Sequence, residues 1–170
     1  TWSFSVGQEE YNHYYGQIHS HTNYSDGTGT PDEAYAYAKD NAKADFFAVT
    51  DHSNWFDNDK QGRFFIDNDP AKGENDCPTS EKWTKLHQIA DKYNEEGKFA
   101  AIAGFEMTWS GSTGGWGHIN TFNTKGFETR SNSDVDLKTY YDKISKLPNS
   151  ISQLNHPGKT FGDFADFGFY

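Results

Sequence analysis

The stretch "YYGQIHSHTNYSDGTGTPDEAYAYAKDNAKADFFAVTDHSN", Tyr14–Asn54, gathers three of the chain's seven histidines and several aspartates around two short apolar runs. The first run, "YYGQI" at 14–18, leads into His19 and His21, and the second, "FFAVT" at 46–50, leads into Asp51 and His52. Between them, "TPDEAYAYAKDNAK" begins with Thr30 in the N-cap position, Pro31 at the first helical position and two acids in the first turn, the features of a helix start. Strand, helix and strand therefore follow one another, with metal-donor residues wherever a strand ends.

The same alternation continues outward. "FAAIAGF" at 99–105, "GHINTF" at 117–122 and "SISQL" at 150–154 read as further strands. A second helix is expected from Ser80 to Glu96, capped by Thr79 or Ser80 and stopped by Gly97, and a third within "DVDLKTYYDKISKL", ended by Pro148. This pattern favours α/β architecture with largely parallel strands, whose carboxyl-end loops are the natural place for a site. Asn54–Pro78 is a long polar connection of the kind that serves as a lid or stays disordered. No repeat or linker divides the 170 residues, so a single domain over 1–170 is expected. The aromatic ending "GDFADFGFY" reads as a chain cut inside a larger, multidomain protein.

Composition narrows the partners. A net charge of −10, from 25 acidic against 15 basic residues, disfavours long-range attraction to nucleic acid and suits cations. The single cysteine, Cys77, excludes an internal disulfide and a thiolate metal cluster. No run approaches the roughly 18 apolar residues of a membrane helix, and "TWSFSVGQEE" has neither the basic start nor the apolar stretch of a signal peptide. Aromatics at 17% read first as core and core-edge packing. A composition rich in Asn, Asp and Tyr and poor in Cys suits a secreted bacterial protein, by association only.

His19 and His21 stand two apart at a strand end, so both imidazoles point to one face and can reach one ion. Asp26 follows in "NYSDG", Glu106 ends the third strand in "AGFEM", His118 lies in "WGHIN" and His156 in "LNHPG". Any one of these histidines alone would read as a satisfied core residue. Five at strand termini, together with carboxylates, read as a site for zinc, manganese or iron, because calcium and magnesium prefer oxygen donors alone.

The ordered series "HSHTNYSDG", "TPDEAYAYAKDNAKADFFAVTDH", "GFE", "GHIN" and "NHPG" resembles the successive motifs of the PHP (polymerase and histidinol phosphatase) family over about residues 14–158. The phrasing "AGFEMTW" and "GHIN" is most similar to the carbaryl-hydrolase-like branch. The resemblance implies a distorted (β/α)7 barrel with two or three divalent transition-metal ions at the carboxyl ends of its strands. Carried over residue by residue, it places His19 and His21 on the first ion and Glu106 as a bridge to the second, which His118 and His156 complete. Asp26 and His52 hold the third, with Asp51 beside them as a supporting partner or weak ligand. Glu106, His52 and Asp51 are then the catalytic group. Family members also carry a late Asp and His, and after His156 this chain has only Asp163 and Asp166, so the expectation is an incomplete, N-terminal portion of the barrel.

The expected chemistry is hydrolysis of a small phosphate ester by a hydroxide bridging the ions, with no protein nucleophile. A carboxyl or carbamate ester hydrolase of the same fold is the alternative, and a non-catalytic metal-binding module of a larger secreted protein is the rival of a different class. Lys159 and Arg63 are candidates for substrate charge. Other chemistries fail on spacing. "SGSTGG" at 110–115 lacks the GxSxG elbow and the Lys-Ser/Thr of a phosphate loop, and "DNDKQG" at 57–62 begins like a calcium loop but has Asn68 where Glu belongs. His13 and His87 stand outside the series, and His87 reads as a packing or surface residue.

Overall fold

The computed structural model describes residues 11–56, 80–109 and 115–164. Arg63, Cys77, Asp166, the "DNDKQG" loop and most of "SGSTGG" lie outside the described residues. Five strands and three helices form a mixed α/β fold: β1 Gly16–Gln17, α1 Pro31–Ala36, β2 Phe46–Val49, α2 Glu81–Tyr93, β3 Ala100–Trp109, β4 Gly117–Phe122, α3 Leu137–Ile144 and β5 Ile151–Asn155. A wider helical turn, Tyr37–Asn41, prolongs α1, and a short 3₁₀ turn, Ser53–Trp55, follows β2.

Helix starts follow the sequence closely. Thr30 and Glu33 exchange reciprocal bonds in a capping box, Ser80 accepts from the Trp83 amide, and Asp136 accepts from the Thr139 amide at 2.7 Å. The end of α2 does not: it stops at Tyr93, short of the expected Glu96. Asn94 takes the chain out by bonding the Ala101 backbone, accepting from its amide at 2.9 Å and donating to its carbonyl at 3.0 Å.

The sheet runs in the order β1-β2-β3-β4-β5. β1, β2 and β3 are parallel, but β3–β4 and β4–β5 are antiparallel, which corrects the expectation of a largely parallel sheet. The reason is length. Parallel neighbours need a crossover of about a dozen residues or more, and residues 110–116 are too few to provide it, so β4 must turn back along β3.

The sheet is also curled. Asn120 Nδ2, on β4, donates to the Ile18 carbonyl just after β1 at 3.0 Å, although β2 and β3 lie between them in the sheet. In a flat sheet, strands three places apart would be about 14 Å from each other. The half barrel so formed has an outer and an inner face. Phe105, Met107 and Trp109 of β3 and Ile119 of β4 pack outward with Tyr35, Trp83, Leu86, Leu137 and Tyr140 of the helices in one core. On the other face, register sets Glu106, Asn120 and Gln153 in one row and Thr108, His118 and Asn155 in the next.

Candidate metal centre

The first donors come from the turn after β1. Thr22–Gly27 closes on itself, with the Ser25 and Gly27 amides both donating to the Thr22 carbonyl at 3.1 and 3.0 Å. Gly27 is required there, since a Cβ would stand 2.3 Å from the His21 carbonyl oxygen. Asp51 holds the turn from beneath. Fully buried, it accepts from the Thr22 amide at 2.7 Å, the Thr22 hydroxyl at 2.6 Å and the Ser25 hydroxyl at 2.5 Å. Both of its oxygens are thus engaged by the turn that follows His21 and carries Asp26. The turn brings Asp26 Oδ1 to 2.7 Å from His21 Nδ1 and Asp26 Oδ2 to 3.5 Å from His52 Nε2.

Glu106 is the centre. Its Oε1 lies 3.3 Å from His19 Nε2, 3.3 Å from His156 Nε2 and 3.5 Å from His118 Nδ1, and its Oε2 lies 2.8 Å from His52 Nδ1 and 3.4 Å from His21 Nε2. The imidazoles form a closed circuit: His19–His21 5.2 Å between ring centres, His21–His52 4.4 Å, His52–His118 5.7 Å, His118–His156 4.9 Å and His156–His19 5.5 Å. β4's reversal makes this possible, because His118 stands near the start of its strand, opposite Thr108 at the end of β3 and Asn155 at the end of β5. His156 takes a positive φ of 23° immediately before Pro157, a backbone state uncommon for a side-chain-bearing residue.

This donor set fits divalent cations. His19 and His21 point their Nε2 atoms at each other at 3.1 Å, close to the separation of about 3.3 Å that two ligands of one tetrahedral zinc adopt. Glu106 and His118 are both buried, and the ring nitrogens that approach the Glu106 oxygens at 2.8 to 3.5 Å are atoms that can bind a cation. Three groups have donor atoms close enough to share an ion: His19, His21 and Glu106; His21, Asp26 and His52; and His52, Glu106 and His118. The first brings together the residues that the resemblance assigned to the first ion and its bridge. In the others, His21 joins Asp26 and His52, and His52 joins Glu106 and His118. His156 approaches the cluster through Glu106 Oε1.

Electrostatics follow from this crowding. Burial alone would raise the Glu106 carboxyl, but His118, His19, His21 and His52 together hold it far below the usual carboxylate range. Burial pushes His21 down, yet Glu106 and Asp26 carry it up to about 9. The hydrogen bond from His21 keeps Asp26 below its ordinary value.

Several participants were missed from sequence. Asn155 Nδ2 donates to Glu106 Oε1 and to Asn120 Oδ1, both at 2.8 Å, and Asn120 in turn holds the Ile18 carbonyl next to His19. Thr108 Oγ1 lies 2.7 Å from His52 Nδ1. Beside the cluster opens a cavity of about 430 Å³, with Asp26, His52 and His118 on one side, Arg130 and Lys159 among its lining, and Trp55 and Phe161 as aromatic wall. Lys159, a sequence candidate, lines this cavity, and so does Arg130, which had no motif to mark it. His87 lies away from the cluster, half-buried on α2 with its ring 4.4 Å from that of Trp83. His13 and Asp163 are exposed.

A family model described as "Protein of unknown function (DUF3604)" matches residues 57–143, just over half of the chain. No curated protein matches. Among solved structures, the chain is similar to a two-domain protein from Bacteroides vulgatus ATCC 8482 containing a predicted PHP-like metal-dependent phosphoesterase, at 20% identity and a TM-score of 0.37. That match covers 64% of this chain and 26% of the other.

Proposed function

This chain belongs to the DUF3604 family, and for it we propose a metal-dependent hydrolase whose substrate is a small phosphate ester. The observation that carries the reading is the circuit of five imidazoles whose ring nitrogens converge on one fully buried carboxylate, that of Glu106. His19, His21 and Glu106 would hold one ion, Glu106 with His118 and His156 a second, and Asp26 with His52 a third. When bound, such ions acidify water and polarise the phosphoryl or carbonyl oxygen under attack. The half barrel is read as part of a PHP-like (β/α)7 barrel, and the chain as part of a larger protein.

The chain's own residues supply the rest. Asn155 fixes Oε1 of Glu106, so the carboxylate keeps one orientation as donors gather about it. Thr108 Oγ1 meets His52 Nδ1, which leaves Nε2 directed toward Asp26 at the cavity, where the two would share an ion. Asp51 keeps the Thr22–Gly27 turn closed and thereby sets His21 and Asp26. Lys159 brings positive charge to the cavity lining. The carboxyl or carbamate ester reading uses the same donors. The chain's net charge of −10 continues to disfavour nucleic acid.

The test is turnover of bis-p-nitrophenyl phosphate, p-nitrophenyl phosphate and p-nitrophenyl acetate with added manganese or zinc, alongside elemental analysis. Glu106→Gln and His19→Ala are expected to lose both bound metal and activity. Metal bound stoichiometrically with no turnover of any ester would replace this reading with that of a non-catalytic module.

A further inference from the structure

Acidic residues outnumber basic ones in this protein by 25 to 15, so carboxylates are plentiful. Lys39, Lys85, Lys92, Lys98 and Lys143 each pair with one. Arg130 and Lys159 make no such pair among the described residues, and both line the cavity beside the imidazole circuit. Two cations without carboxylate partners beside a candidate metal centre are an arrangement that favours an anion.

Both are held on fixed supports. Arg130 follows Phe127, Glu128 and Thr129, all three essentially inaccessible, and precedes buried Asn132. Inside, Glu128 Oε1 accepts from the Thr129 amide and from Asn132 Nδ2, both at 3.2 Å, and Glu128 Oε2 accepts from Lys143 Nζ at 2.9 Å. This buried clamp fixes the backbone from which a half-buried Arg130 reaches the cavity. Lys159 stands on a tight turn in which the Gly158 and Gly162 amides exchange bonds with each other's carbonyls at 2.9 and 2.8 Å. Gly162 fits so closely that a Cβ would lie 2.3 Å from the Gly117 amide, and Phe161 packs against His118 and His156 at 5.3 and 4.8 Å between ring centres. The turn is therefore fastened to the same histidines that surround Glu106.

We propose that Arg130 and Lys159 form an anion-recognition wall of the cavity and select the doubly charged phosphoryl group of a phosphate monoester over a diester or a neutral ester. A guanidinium presents a planar fork that engages two phosphate oxygens, and an ammonium adds a point charge to a third. A monoester carries a charge of about −1.5 to −2 at neutral pH and offers three terminal oxygens. A diester has one charge, and a carboxyl or carbamate ester has none, so the same wall gains least from them. This inference rests on the hydrolase reading for the word substrate, but not for the binding it describes.

The test is calorimetric titration of inorganic phosphate into the manganese-loaded full chain. Wild type is expected to bind, and Arg130→Ala and Lys159→Ala each to weaken binding by about tenfold or more, as loss of a hydrogen bond to a charged group does. Metal stoichiometry and melting temperature should stay unchanged, and Arg130→Lys should recover part of the loss. In kinetics, KM for p-nitrophenyl phosphate should rise by a larger factor than KM for p-nitrophenyl acetate. No phosphate binding by wild type, or binding by Arg130→Ala within twofold of it, overturns the proposal. If phosphate binds in an Arg130-dependent way but no ester is cleaved, the hydrolase reading fails and this one stands. If esters are cleaved and Arg130→Ala is silent, the outcome is the reverse.

Discussion

Along β3, Phe105, Met107 and Trp109 meet the helices, while Glu106 and Thr108, one residue away in each case, meet the histidines. Both sets are buried, yet they differ in how burial is satisfied. The outer residues need only close packing, which they find in one continuous core. On the inner face Glu106 is crowded by imidazole nitrogens at 2.8 to 3.5 Å, and beside it Asn155 Oδ1 and Gln153 Oε1 have no hydrogen-bond partner. One face of the strand thus stabilises the fold by itself, and the other becomes stable in proportion to what binds there.

The comparison breaks most readily at the outer face. Phe105→Ala removes a fully buried ring from the core and is expected to cost about 3–5 kcal/mol in urea unfolding; a smaller loss than that of Glu106→Gln in the metal-free protein would reverse the assignment of the two faces. Next in size, Asn155→Ala should weaken metal binding by about 10–100-fold with an unchanged circular dichroism spectrum, since it frees Glu106 Oε1 without touching the outer core.

The third expectation uses pH. His21, raised to about 9 in the metal-free protein, must give up its proton to become a ligand. Metal affinity should therefore increase by about tenfold per pH unit for this one proton on approaching pH 9 from below, and flatten above it. Titrations in buffers of different ionisation enthalpy would reveal the proton released, and an affinity that falls over this range contradicts the arrangement. In the metal-free fold the sign is opposite: what the His21 pairing contributes is complete below about pH 6.5 and is lost as pH rises through about 9. The smallest effect belongs to His87→Ala, expected to leave metal binding unchanged and to cost about 1 kcal/mol or less through its edge contact with Trp83.

What could be read in the sequence was local. Thr30 and Ser80 announced their helices because caps act within three residues. His19 and His21 were paired by strand alternation, but β1 ends at Gln17, so it is the chain beyond the strand that brings their Nε2 atoms to 3.1 Å. The direction of β4 was missed because apolar runs look alike in either sense. The length of residues 110–116 carried the missing information, and so His118 belongs near a strand's start instead of its end. Asp51 was expected as a supporting partner or weak ligand, and the hydrogen bonds it makes reach Thr22 and Ser25, 26 to 29 residues earlier. Asn155 adjoined His156 in the motif, yet only the pairing of β3, β4 and β5 shows that it reaches Glu106. Arg130 was invisible because its placement depends on a buried clamp formed by tertiary contacts.

The backward run of β4 makes the centre more sensitive to chain length than to residue identity. Along that strand His118 and Ile119 point to opposite faces, so losing one residue from the preceding glycine-rich connection, with the pairing to β3 otherwise kept, would exchange them. An isoleucine would then sit among the histidines and an imidazole inside the apolar core. Variation in this hairpin should therefore proceed by replacement, and single-residue insertions or deletions should be rare there in functional chains.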